Sequence, residues 1–234
     1  GRAGIPMYTM SWRYPRFYRT GHVDIGFGAQ GTAFNADVED WPNVIDWELT
    51  RERAWECLQT WVKTATPVAE EYGVRLGLHP VDPPIPVVGG VPSLLFNFEN
   101  YRRLIEIYDS PANALLLCQG SFSQFAGADQ DNGESIYDMI EYFVKRNRVL
   151  YVHFRNVSGT VPKFNETFIN KGYVDMYRAM RIYAENGFDG FFMDDHAVGT
   201  IGDTDWGHRA RAYSNGYIQS LIETVTDTSL YGMH

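Results

Sequence analysis

Short apolar runs that each end in polar residues recur along the chain: Ile5–Ser11, Val74–His79, Ala114–Gln119, Val149–Asn156 and Phe188–His196. Such runs predict strands covered on both faces. Between them the apolar positions fall at helical spacing. Over Thr50–Tyr72 they are Ala54, Cys57, Leu58, Trp61, Val62, Ala65 and Val68, one face of a helix. Phe98–Tyr108, Ser135–Asn147, Asp175–Asn186 and Ala210–Val225 repeat the pattern, with Gly73 and Gly187 standing where helix-ending glycines belong. Alternating strands and helices predict a parallel sheet layered with helices. No Gly/Ser-rich linker and no short repeat interrupts it, so residues 1–234 are expected to form a single domain.

Two architectures fit that alternation. A doubly wound sheet would bring a glycine-rich loop between a strand and a helix. The nearest match, Gly26-Phe27-Gly28 continuing to Gly31, has the glycine spacing, but no helical pattern follows it. The other is a (β/α)8 barrel, in which chemistry gathers at the C-terminal ends of several strands.

The strand ends carry such chemistry. His79, Cys118, His153 and Asp195 sit at equivalent places in four successive units. Taken singly, each has a bland explanation: a cysteine in an apolar strand is usually a small buried hydrophobe. Together, imidazole, thiolate and carboxylate at one end of a sheet point to a shared site for a first-row transition metal. Arg155 lies two residues after His153 and, in a regular strand, points to the same side. An inward arginine needs an anion, either a substrate carboxylate or one of the chain's own acids. With Asn156 beside it, Arg155 is the candidate substrate contact. His196 follows Asp195, and the turn after the strand must break the alternation of side chains for both to face one site. Cys57, on the stripe of its helix, is expected to be structural.

Composition narrows the class. The 234 residues are 44% hydrophobic and 21% charged, enough for a full core without disulfide or metal staples. Lys and Arg number 20 against 29 Asp and Glu, a net charge of −9, which argues against nucleic acid or an anionic membrane surface as partner. Two cysteines do not frame a secreted disulfide scaffold. No apolar run reaches transmembrane length and Gly1–Met10 carries no signal-peptide pattern, so a cytoplasmic protein is expected.

Gly77-Leu78-His79-Pro80-Val81-Asp82-Pro83-Pro84 resembles the signature loop of the mannonate dehydratases. Ser110–Ser121 resembles their cysteine strand, and Tyr151–Val157 the strand after it. Val174-Asp175-Met176, Asp195-His196, Ala3–Pro6 and Arg19-Thr20 also fit, in order, from about Ala3 to Leu221. The resemblance implies a xylose-isomerase-like barrel that dehydrates D-mannonate to 2-keto-3-deoxy-D-gluconate with Mn²⁺ or Fe²⁺. It places the metal ligands on His79, Cys118, His153 and Asp195, and an acid/base histidine on His196. For a second acid/base group the nearby candidates are Tyr173, Trp206 and His208, of which His208 is the most chemically able. The family pattern is departed from at Val81, Ser93, Asn165 and Met193-Asp194, outside the metal quartet. The resemblance also implies that this chain corresponds to the last five of eight βα units, so that Ile5–Ser11 and Phe188–His196 would be open edges. Such edges call for further strands or a second subunit, and a homo-oligomer is expected. A sugar isomerase or epimerase on the same barrel, a non-catalytic sugar-binding relative, and a purely structural metal are the alternatives.

Overall fold

The computed structural model describes residues 1–13, 18–38, 42–126 and 133–226. In chain order the elements start with β1 (Met7–Ser11), a hairpin of β2 (Gly21–Gly26) and β3 (Ala29–Asn35), α1 (Arg51–Glu71) and β4 (Arg75–His79). A small ribbon, β5 (Val87–Val88) and β6 (Val91–Pro92), precedes α2 (Phe98–Ile107) and β7 (Asn113–Cys118). Then come α3 (Gln119–Ala126), α4 (Ile136–Lys145), β8 (Val149–His153), β9 (Lys163–Asn165), α5 (Met176–Glu185), β10 (Phe191–Met193) and α6 (His208–Thr226).

The five expected strands form one parallel sheet in the order β1-β4-β7-β8-β10. Each strand lies beside the next of its kind, as in a barrel, rather than reversing direction of winding as in a doubly wound sheet. Every residue of β7 is buried. The core packs α1, α2, α4 and α5 onto the sheet through Leu58, Leu104, Phe143, Met180 and their neighbours.

Local chemistry explains where the helices start and stop. Thr50 and Asn97 accept the N3 backbone N–H of α1 and α2, and Ser135 and Asp138 form a reciprocal capping box on α4. Three helices end alike. Gly73, Asn147 and Gly187 take positive φ, and the next residue's N–H returns to Ala69, Phe143 and Tyr183 respectively. α1 and α4 thereby stop three residues short of the next strand, and α5 five.

Three features differ from the sequence expectation. Gly26-Phe27-Gly28 is the turn of the antiparallel β2–β3 hairpin, all three residues having positive φ, and β9 joins this hairpin as a second sheet. α3 starts directly after Cys118 with no loop. Cys57 is exposed: the buried face of α1 is Ala54, Trp55, Leu58, Val62, Thr66 and Ala69, so Cys57 falls just off the stripe.

Candidate metal centre

Register brings the quartet together. Cys118 pairs with His153 across β7 and β8, and His153 pairs with Met193 across β8 and β10. His79 ends β4, and Asp195 follows β10 by two residues. The candidate ligand atoms of His79, Cys118, His153 and Asp195 all lie within 4.8 Å of one another. The two imidazoles stand 5.2 Å apart, centroid to centroid. Nδ1 of His79 is 2.7 Å from the Pro80 carbonyl, which makes Nδ1 the protonated nitrogen and leaves the Nε2 lone pair for a ligand.

The donor set fits a divalent cation. Nδ1 of His153 is buried without a hydrogen-bond partner although Oδ2 of Asp195 is 3.0 Å away. A cation shared between them would explain an approach this close without a hydrogen bond. Charge accounting agrees. Asp82 and Glu166 are matched by Arg19 and Arg155, which bond them at 2.7–2.9 Å. Cys118 and Asp195 then remain as two anions. Burial resists the Cys118 thiolate, but Arg155, His153 and His79 outweigh it and hold the thiol well below its usual pKa. Asp195 is likewise lowered, burial being overcome by His153 and His196. Without a metal, protons do the neutralising. Burial opposes the His153 cation, yet Asp195 and Cys118 push its pKa up to about 9. Burial and Arg155 oppose the His196 cation, yet Asp195 and Glu166 push it up to about 10.

His196 stands at the rim. Its φ of +57° breaks the strand alternation that would separate it from Asp195. Nε2 lies 3.0 Å from Oδ2 of Asp195, and Nδ1 lies 3.1 Å from Oε1 of Glu166. A cavity of about 310 Å³ opens above the quartet, lined by His79, His153, Asp195, His196, Tyr151 and Thr9 among others. That is enough for a small-molecule ligand.

Three sequence candidates are placed elsewhere. Arg155 is buried and its donors are all taken: Nε by Cys118, Nη1 by both oxygens of Glu166, Nη2 by Asp82 and Ser121. It therefore takes the chain's own acids rather than a substrate carboxylate. Asn156 is buried too. Its amide donates to Ile169 and Val174 and its carbonyl accepts from Val157 and Val174, so it clamps the loop before α5 instead of contacting substrate. His208 is exposed at the start of α6, with Nδ1 2.8 Å from Oγ1 of Thr204, and does not line the cavity. The sequence reading missed Glu166, Asp82 and Arg19. Asp82 lies inside the recognised 77–84 segment. Glu166 lies in a loop with no local pattern; the only signal for it was that Arg155 required an anion.

Sequential parallel strands with a metal-capable quartet at their C-terminal ends are the arrangement of a xylose-isomerase-like barrel. A xylose-isomerase-like barrel protein of Mycobacterium smegmatis, solved with magnesium, shares that fold at 16% identity and a TM-score of 0.54, over 80% of this chain and 56% of that one. The chain belongs to the D-mannonate dehydratase (UxuA) family, whose sequence pattern matches residues 44–230. The mannonate dehydratase of Lactococcus lactis subsp. lactis is 32% identical over 199 residues, 82% of this chain and 52% of that protein. The structure of mannonate dehydratase from Streptococcus suis serotype 2 superposes with a TM-score of 0.86 at 26% identity, over 100% of this chain and 72% of that one. The chain spans about half the length of the relatives it matches. No described helix is long and apolar enough to cross a membrane.

Proposed function

We propose that the protein is a hydro-lyase that dehydrates a sugar acid, D-mannonate to 2-keto-3-deoxy-D-gluconate. The observation that carries this reading is the convergence of His79, Cys118, His153 and Asp195 beneath a cavity rimmed by His196, in a chain of the mannonate dehydratase family. One carboxylate among four ligands, with a thiolate, also sets the quartet apart from the carboxylate-rich site expected of a sugar isomerase.

In this reading His79, Cys118, His153 and Asp195 hold a divalent first-row ion, Mn²⁺ first and Fe²⁺ second as the family resemblance implies. When bound, the ion supplies Lewis acidity that makes the proton beside a carboxylate easier to remove. The chain supplies the rest. With Nδ1 protonated, His196 works through Nε2, the nitrogen on the Asp195 side: unprotonated it takes the proton from C2 as base, or protonated it gives its proton to the departing 3-hydroxyl as acid. Glu166 fixes the ring by accepting from Nδ1. Arg155 and Asp82 keep Glu166 in place. The substrate is a small anion, the compartment a reducing cytoplasm that keeps Cys118 a free thiol, and the assembly a homo-oligomer.

The test is a panel of aldonates offered to the Mn²⁺-loaded protein, read by formation of a 2-keto-3-deoxy acid. Product from mannonate is expected. Stoichiometric metal with no keto acid from any aldonate overturns the reading.

A further inference from the structure

Cys118 has neighbours that a ligand list omits. Nε of Arg155 donates to its Sγ at 3.3 Å, and Oγ of Ser121 donates to the same atom at 3.3 Å. The two donors brace each other, since Nη2 of Arg155 meets Oγ of Ser121 at 3.1 Å. At its other end the guanidinium is pinned by Nη1 to both oxygens of Glu166 and by Nη2 to Asp82. All five side chains are buried. Gly120, between Cys118 and Ser121, makes room for this: a Cβ there would stand 2.6 Å from Cγ, Nε and Cζ of Arg155. So a glycine, a serine and an arginine converge on one sulfur that already faces three metal-capable groups.

We propose that Arg155 and Ser121 are positioning residues of the metal centre, two hydrogen-bond donors that aim Sγ of Cys118 at the ion and draw electron density from it. The proposal deepens the metal reading above and rests on it. Hydrogen bonds to a ligating sulfur are one of the ways a protein tunes its metal, and losing such partners typically costs about 10–100-fold in affinity. Arg155 does more than this for the same guanidinium, because Glu166 accepts from both Arg155 and Nδ1 of His196. The ligand and the proton carrier are thereby held by one group.

The test uses Co²⁺ as probe and the thiolate-to-cobalt charge-transfer band as readout. A hydrogen bond stabilises the sulfur lone pairs, so losing a donor makes transfer from sulfur to metal easier and moves the band to longer wavelength. Cys118→Ser assigns the band by removing it, and Cys57→Ser leaves it in place. Ser121→Ala and Arg155→Lys are expected to shift the band to longer wavelength and to weaken Co²⁺ binding by about 10–100-fold. Gly120→Ala keeps both donors but displaces the guanidinium, and is expected to shift the band in the same direction. A merely structural role would alter stability and leave the band where it is. Should Arg155→Lys fail to fold, Ser121→Ala and Gly120→Ala decide alone. An unmoved band in both overturns the proposal while leaving the metal reading intact. No Cys118-dependent band in the parent protein overturns both.

Discussion

His196 sits in the left-handed region at φ +57°, a conformation that costs a non-glycine residue on the order of 1 kcal/mol or more. Asp195 and Glu166 hold it there from either side of the ring. Asparagine tolerates the same backbone, so His196→Asn removes the imidazole and keeps the turn. It is expected to bind metal as the parent does and to lose about 10²–10⁴-fold in turnover; parent-like turnover would show that His196 only fills space. A second expectation concerns pH. In the metal-free protein His196 keeps its proton up to about 10, whereas an unfolded histidine releases it near about 6.5. The stability this contributes is complete below about 6.5 and is lost as pH rises toward 10, by at most about 1.4 kcal/mol per pH unit. Between those limits His153 and Cys118 nearly cancel, the folded pair carrying its proton on imidazole and the unfolded pair on thiol. Urea midpoints of the metal-free protein should therefore fall across that window, and fall less steeply for His196→Asn. Equal slopes would remove His196 from the account.

The hairpin of β2 and β3 is the element that places Glu166. Its Thr32 carbonyl accepts the Glu166 N–H at 2.8 Å, and Arg19, just before β2, bonds Glu166 at 2.9 Å. Gly31 lets the two backbones touch: a Cβ there would lie 2.2 Å from the Glu166 carbonyl oxygen. That contact is with backbone, which cannot swing aside. Gly31→Ala is expected to cost about 1–3 kcal/mol in urea unfolding and to lower turnover through Glu166 and His196. A neutral result in both would mean that the hairpin yields freely. The helices were legible in the sequence because caps and apolar stripes are local. The hairpin was not, because the apolar positions of β2, Val23 and Ile25, are too few to declare an alternation, and its glycines resembled a loop of another kind.

At the scale of the whole molecule, the sheet formed by the described residues has two open sides, β1 and β10. Ile5 and Tyr8 near one and Phe191 near the other are 59%, 60% and 49% exposed. Open edges with apolar side chains pair with other chains unless something covers them. The 234-residue chain on its own is expected to self-associate, with the associated fraction rising with concentration in light scattering. Tyr8→Lys with Phe191→Lys should reduce it, since an edge lysine opposes strand pairing. A monomer at every concentration would show that these edges are protected within the chain.

By itself the sequence determined the five parallel strands, five of the six described helices and the gathering of His79, Cys118, His153 and Asp195 at one end of the sheet, because each is written in short-range pattern: apolar runs, caps, and one metal-capable residue at each strand end. Tertiary structure decided what surrounds the quartet. Arg155 could have turned to a substrate or to an acid of the chain, and nothing within reach of it along the sequence settles the choice. Folding brings Asp82 and Glu166 from 73 and 11 residues away into the same buried space. A buried guanidinium without counter-charges is far costlier than one with them, so it takes the carboxylates already there. Asn156 follows the same logic with loop carbonyls, and His208 is carried away from the cavity by the course of the loop before α6. Covalent neighbours could announce the ligands; only packing could assign the partners of their charges.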